Sequence, residues 1–255
     1  MAEPRKIRVA DHELNALSTI GGGRHFTCLH GLCDTLAIWN RLSPALESCG
    51  RITRIDQRGH GHSTSPKGPY TRANLADDIA AVLDAESVEE SILVGHSMGG
   101  IVAMETALRH PDRVAGLVLL GTTSECKERV ASWYERIALA GEREGKAGLR
   151  RAIYGEKATQ EIQGDAQGIA HVTRMLKSLH SDPLTPRLRD VRCPALLAVG
   201  EKDPMGPKAS EIVFAALPPG HAEILRLPGK GHWLQLEAVD ALTGALDGWI
   251  ERFEL

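Results

Sequence analysis

Ser91-Ile92-Leu93-Val94-Gly95-His96-Ser97-Met98-Gly99-Gly100-Ile101-Val102-Ala103-Met104 is the stretch on which the fold turns. Ile92 to Val94 is a short apolar run of the kind a buried strand makes. It ends in Gly-x-Ser-x-Gly, Gly95 to Gly99, and a helix-like run from Met98 to Leu108 begins at once. So sharp a turn forces the residue at its apex into a strained backbone conformation, held only where its surroundings over-determine it. A Cβ at 95 or 99 would crowd the turn, and glycine has none. The expected product is a serine hydroxyl held above a sheet beside a helix N-terminus, where N–H groups and the helix dipole favour negative charge. A glycine-rich turn with an ordinary surface serine would have the same letters. Ser97 therefore needs a base, an acid and two oxyanion donors elsewhere in the chain.

The composition bounds the search. At 255 residues the chain suits one sizeable domain, with or without an insertion. A formal net charge of -3 gives no electrostatic reason to expect nucleic acid or an anionic membrane as partner. The cysteines at 28, 33, 49, 126 and 193 are odd in number, scattered, and never spaced Cys-x-x-Cys. Neither a disulfide framework nor a metal site is suggested, and free thiols fit a reducing cytoplasm. Met1 to Lys6 leads into no apolar signal core, and no apolar run approaches the length of a membrane span. The expectation is a cytoplasmic protein acting on a small molecule, its oligomeric state unindicated.

Outward from the central stretch, strands and helices alternate. Strands are expected at Ile7–Val9, Leu14–Ile20, His25–Leu29, Arg51–Asp56 and Val114–Leu120, with helices at Leu36–Ser48 and Thr71–Ala85. Strands that are apolar throughout imply a parallel sheet covered on both faces. From Ser124 to about Arg189 no strand is convincing. That region reads as helices at Glu125–Gly141, Lys146–Tyr154 and Gln160–His180. Alternation resumes with a strand at Cys193–Val199, a helix at Pro207–Ala216, a strand at Ala222–Leu227 and a closing helix at Leu236–Phe253. The expected architecture is a doubly wound, mostly parallel α/β core, residues 1–122 and 190–255, interrupted by a helical cap at 123–189.

In open parallel sheets, ligands bind beyond the carboxyl ends of the strands, so the partners of Ser97 should follow strands. Asp203 follows Ala195–Val199 in Gly200-Glu201-Lys202-Asp203-Pro204. His232 follows Ala222–Leu227 in Pro228-Gly229-Lys230-Gly231-His232-Trp233. The chain order Ser97, Asp203, His232 is the one an elbow serine requires. Glu201 is the rival acid, and Asp203 is preferred for its place before proline. Of the two oxyanion donors, Met98 N–H is next after the serine, and Leu32 N–H lies in the loop His30-Gly31-Leu32 after an earlier strand. Gly31 is expected to permit an unusual backbone turn there. Cys33 is read as small packing material, because no base is placed for it.

These residues resemble the α/β-hydrolase fold superfamily. His30-Gly31, Asp56-Gln57-Arg58-Gly59-His60-Gly61-His62-Ser63, Gly95-His96-Ser97-Met98-Gly99-Gly100 and Gly229-Lys230-Gly231-His232 carry the likeness, which spans nearly the whole chain. Members with this aspartate–arginine–glycine loop and a helical cap are the most similar: carboxylesterases, enol-lactonases, cofactor-free haloperoxidase-like esterases and meta-cleavage C–C hydrolases. The resemblance implies hydrolysis without a cofactor, of a small to medium carboxylic ester, lactone or thioester through an acyl-serine. The alternatives it leaves open are C–C hydrolysis of a diketone on the same triad and a ligand-binding or signalling homologue of low turnover. His96 before the serine resembles the esterases, since C–C hydrolases usually carry asparagine there; it is otherwise expected to pack under the turn. His30, His60 and His62 are expected to support the site. The cap should set specificity. Trp133, Tyr154 and Met175 from it, with Trp39 and Trp233 from the core loops, are the expected pocket walls. Arg136, Arg150, Arg151, Arg174 and Lys177 could bind a substrate carboxylate, though paired surface charges would look the same.

Overall fold

The computed structural model describes residues 3–255; Met1 and Ala2, which open the stretch read as leading into no signal core, lie outside them. Eight strands form one sheet: β1 (Arg5–Val9), β2 (His12–Ser18), β3 (His25–Leu29), β4 (Arg51–Asp56), β5 (Ser91–His96), β6 (Val114–Leu120), β7 (Ala195–Gly200) and β8 (Ala222–Leu227). Their order is β1-β2-β4-β3-β5-β6-β7-β8. β2 runs antiparallel to β1 and β4, and every other pairing is parallel. This is the doubly wound sheet expected from the alternation.

The helices are α1 (Ser43–Cys49), α2 (Arg72–Ala85), α3 (Met98–Arg109), α4 (Glu128–Tyr154), α5 (Ala166–Lys177), α6 (Pro207–Ala216), α7 (Leu234–Glu237) and α8 (Val239–Phe253). Side chains alternate along a strand, so each strand feeds two cores. Leu29, Leu93, Leu117, Leu119 and Leu197 join α2 and α3 through Leu75, Ile79, Ile101 and Val102. Phe26, Ile92, Val94, Val118 and Leu196 join α1 and α8 through Leu46, Leu242 and Trp249. Burial on both faces explains why these strands are apolar runs rather than alternating ones.

The connection reverses direction at β3. Its neighbours are β4 on one side and β5 on the other, and the chain visits β4 first. The loops leaving β3 and β5 therefore diverge, opening a crevice beyond their carboxyl ends. His30-Gly31-Leu32 and His96-Ser97 leave the sheet at that point.

Several elements differ from the expectations, among them the helix expected at Gln160–His180, which is α5 with a 3-10 turn, Ser178–His180, after it. Leu36–Ser48 is not one helix but a 3-10 turn, Leu36–Trp39, followed by α1. Pro44 lacks the N–H that a continuous helix would need there. The helices expected at Glu125–Gly141 and Lys146–Tyr154 are two limbs of α4, joined where Gly145 leaves helical geometry at φ 63. The limbs pack so closely that a Cβ on Gly148 would lie 2.3 Å from the Ala140 carbonyl oxygen. The closing helix is broken at Ala238 into α7 and α8. The inserted helices share the sheet's own core: Tyr134, Ile137, Leu149, Ile169 and Val172 belong to the cluster that holds Leu29 and Leu93. Among the described residues no helix is long and apolar enough to cross a membrane.

Candidate active site

Ser97 stands between β5 and α3 at φ 52 and ψ -114, a conformation L-residues rarely adopt. Such strain costs about 1–3 kcal/mol and persists only under constraint. The constraint is visible. Ser97 N–H donates to Leu120 O at 2.9 Å, and Ser97 O accepts from the Thr122 hydroxyl at 2.7 Å. A Cβ on Gly95 would meet Gly99 O at 2.5 Å, and one on Gly99 would meet Leu29 O at 2.0 Å. Both glycines are thus required by close backbone approach.

Asp203 and His232 meet as the sequence order implied. Nδ1 of His232 donates to Oδ2 of Asp203 at 2.8 Å, leaving Nε2 as the free base nitrogen. The other carboxylate oxygen accepts from Met205 N–H at 2.8 Å, which fixes the aspartate. Glu201, the rival acid, is turned elsewhere: it accepts from Gly229 N–H at 2.8 Å in the loop that carries His232. Glu237 clamps the same loop, accepting from Gly231 N–H at 2.7 Å and Trp233 N–H at 3.2 Å on either side of the histidine. Gly121, at φ 55 after β6, leaves room for the pair; a Cβ there would lie 2.9 Å from Asp203 Oδ2 and 3.1 Å from His232 Nδ1. Neither Glu237 nor Gly121 was singled out in sequence, and only the glycine directly after a strand was a usable signal.

The loop after β3 is scaffolded from beneath. His30 Nδ1 donates to Gly31 O at 2.7 Å, and its Nε2 accepts from Gln57 N–H at 3.0 Å. Burial keeps His30 neutral by pushing its pKa down. His60 packs on it, ring centroids 5.0 Å apart, and burial with the neighbouring ring pushes His60 down to about 3. Asp56 ties the two loops, accepting from Leu36 N–H at 2.7 Å and His62 N–H at 3.0 Å. Gly31 has no left-handed backbone, so the expected reason for it is corrected: its need is space, because a Cβ would sit 2.9 Å from His96 Nδ1. The positive φ falls instead on Cys33, at 64°. Burial drives the Cys33 thiol pKa upward, which suits packing and not nucleophilic attack.

Ser97, His232, Leu32 and Asp34 line a cavity of about 360 Å³, with Met98 buried at the start of α3 beside it. Its other walls are mostly apolar: Trp133, Tyr134, Ile153, Tyr154 and Leu176 from the inserted helices, and Met205 and Trp233 from the core loops. Of the residues expected as pocket walls, Trp133, Tyr154 and Trp233 line this cavity. Trp39 and Met175 do not. Trp39 is fully buried in the core around α1 and α8, and Met175 is buried in the other core while its neighbour Leu176 faces the cavity. No lysine or arginine lines the cavity among the described residues. Arg174 pairs with Glu135 and Glu142, Lys177 with Glu135, and Arg151 with Glu144 and Glu156. The expected carboxylate-binding role of these cations finds no support in their placement.

Among the described lining residues the one carboxylate is Asp34. His96 is pushed down by burial, against the pull of Asp34.

A family model described as alpha/beta hydrolase fold matches residues 24–138. The chain is similar to 2-(acetamidomethylene)succinate hydrolase of Mesorhizobium japonicum, 26% identical over 266 residues that cover 97% of this chain and 95% of the relative. It is also 26% identical to 3-oxoadipate enol-lactonase 2 of Acinetobacter baylyi, across 88% of this chain and 87% of that one. A malate-bound thermophilic esterase from Thermogutta terrifontis superposes with a TM-score of 0.87 at 25% identity, with all of both chains covered.

Proposed function

The chain belongs to the α/β-hydrolase fold, and from that premise we propose that it is a serine hydrolase of small to medium carboxylic esters. Lactones and thioesters are within reach of the same chemistry. One observation carries the reading: a serine forced to φ 52 shares a cavity with a histidine whose Nδ1 is held 2.8 Å from a buried aspartate.

A serine hydroxyl is a weak nucleophile until a base takes its proton. His232 Nε2 takes it as Ser97 Oγ attacks the ester carbonyl. Charge moves onto the carbonyl oxygen, where Leu32 and Met98 N–H groups receive it; Met98 heads a helix, so its N–H has no intrahelical acceptor. His232 then protonates the leaving alcohol, and an acyl-serine remains. Water, deprotonated by His232, releases the acid. Asp203 holds the imidazole in the one useful tautomer throughout. The cavity volume of about 360 Å³ sits at the low end of small-molecule sites, roughly 300–1,000 Å³, which favours short acyl chains.

C–C hydrolysis of a vinylogous diketone would use the same triad, and His96 beside the serine argues against it. A fluorophosphonate probe tests the reading directly. Labelling of the wild-type chain and none of Ser97→Ala is expected. Absence of wild-type labelling with His232 intact counts against every enzymatic reading. A p-nitrophenyl ester series from acetate to octanoate should then show a preference for the shorter chains.

A further inference from the structure

His96 Nδ1 is a buried acceptor with nothing to accept, and the half-buried Asp34 carboxylate stands beside it. His96 Nε2 lies 3.0 Å from the backbone carbonyl oxygen of His232. A carbonyl only accepts, so Nε2 carries the hydrogen. In the neutral ring that burial enforces, Nδ1 is then a bare lone pair. That Nδ1 is buried and has no hydrogen-bond partner, on a side chain 1% exposed that lines the cavity. Asp34 Oδ2 stands 3.7 Å from it, too far for a direct hydrogen bond. Among the described residues the Asp34 carboxylate makes no other ion pair, and its side chain is only 17% exposed. Buried polar atoms normally find partners, and an exception calls for an explanation.

We propose that Asp34 and His96 Nδ1 form a subsite for a protonated amine, so that the preferred substrates are esters bearing a primary or secondary ammonium group. This deepens the esterase reading and rests on it. A nitrogen with two N–H bonds can bridge two acceptors 3.7 Å apart, and its charge answers the carboxylate. Gly31 keeps the space beside the pair clear: a Cβ there would lie 2.9 Å from His96 Nδ1 and 3.1 Å from Asp34 Oδ2. The remaining walls suit a cation as well. Trp133, Tyr134, Tyr154 and Trp233 are aromatic wall residues of the kind that attract a cation, and no lysine or arginine competes among the described lining residues. The reaction itself supplies a further reason. A carboxylate in the cavity opposes the negative charge that gathers on the ester oxygen, and an ammonium bound to it offsets that opposition. A substrate carrying its own carboxylate would instead meet Asp34 with no cation to screen it.

Isosteric methyl esters read the subsite: methyl 3-aminopropanoate against methyl butanoate, and methyl 6-aminohexanoate against methyl heptanoate, at neutral pH. In each pair an ammonium replaces a methyl group, so size is constant. The wild-type chain should favour the amine in at least one pair by about tenfold or more in kcat/KM, and Asp34→Asn should bring that ratio to unity. The ratio is internal to each protein, so a general change in activity on substitution leaves it readable. Equal rates within both pairs, or faster methyl members, overturn the proposal. If the wild-type chain hydrolyses neither ester and takes no fluorophosphonate label, it is the esterase reading that fails. Calorimetric binding of the same pairs to Ser97→Ala then decides the subsite. A preference for the amine that Asp34→Asn abolishes sustains it, and equal or undetectable binding removes it.

Discussion

The loops that leave the sheet and the helices inserted between β6 and β7 meet at one cavity but are held by different forces. The loops are fixed by hydrogen bonds to backbone groups: Asp56 to Leu36 and His62, Glu201 to Gly229, Glu237 to Gly231 and Trp233. Where two backbones must nearly touch, a glycine stands. The inserted helices are fixed by apolar packing underneath and by ion pairs outside, such as Arg174 with Glu135 and Glu142. The first arrangement defines atom positions, as a reaction requires. The second defines a wall, whose members can change without moving the serine. Substitutions of the loop residues that hold the reacting groups should therefore act on kcat, and substitutions in the helices on KM and on the choice of substrate, a choice that among the loop residues falls to Asp34 and His96.

Ser97→Ala is the severest break. Esterase turnover should fall by about four orders of magnitude or more, while substrate binding persists. Wild-type activity in that variant would end the distinction between the two regions. Gly121→Ala comes next. The added Cβ would press on Asp203 and His232, and the backbone at φ 55 resists a side chain. We expect kcat to drop on the order of 100-fold with KM little changed, because small displacements of positioned groups are that costly. Steady-state kinetics on a short p-nitrophenyl ester separates the two constants.

The loops also carry an acid weakness. His30, His60 and His96 are buried and held neutral, with His60 pushed down to about 3. An unfolded histidine takes its proton near pH 6.5. A folded value below that means the unfolded chain binds more protons as pH drops. Stability from this source is full above about pH 6.5 and drains progressively as pH falls toward the folded values. Each such histidine should lower the unfolding free energy by about 1.4 kcal/mol per pH unit in that window. Urea melts at several values between neutrality and mild acid measure the slope; a flat profile would mean that the buried rings are not neutral in the fold.

The same division explains what the sequence disclosed. Ser97, Asp203 and His232 could be put forward together because strand ends, glycines and Asp-Pro are local features, and local features fix where a strand stops; the fold brings Asp203 onto His232 and Ser97 into the same cavity. Gly31 was found for the wrong reason: its letter signals freedom, but whether that freedom serves φ or space depends on His96, 65 positions away. Trp39 and Met175 were misplaced because periodicity marks a residue as buried without saying against what. Met175 and Leu176 are adjacent on α5, and only the packing of α5 on α4 decides which one reaches the cavity. Asp34 was not singled out in the sequence, since what surrounds it comes from His30 of its own loop, from His60 after β4 and from His96 at the end of β5.

Trp133→Ala sharpens the comparison from the helical side. The indole is a cavity wall whose ring packs on Tyr134, centroids 5.3 Å apart. Removing it should raise KM for short esters by about tenfold at most, leave their kcat near wild type, and shift the preferred acyl chain longer as the cavity grows. A loss confined to kcat would show that the helices help to place the reacting atoms after all.

Arg174→Ala should do least, and for that reason it is informative. The guanidinium pairs with two carboxylates on the face of α4 and is 33% exposed, so water screens much of the attraction. Exposed pairs of this kind are worth about 0–1 kcal/mol. A melting temperature lowered by a few degrees or less is therefore expected, with unchanged kcat/KM for neutral esters. The decisive measurement uses a monoester of a dicarboxylic acid. If Arg174 recognised a substrate carboxylate, that ester alone would lose activity in the variant. Since the cavity wall carries Asp34 and no lysine or arginine among the described residues, the monoester should be a poor substrate before and after the substitution, and the ratio of its rate to that of the neutral ester should not move.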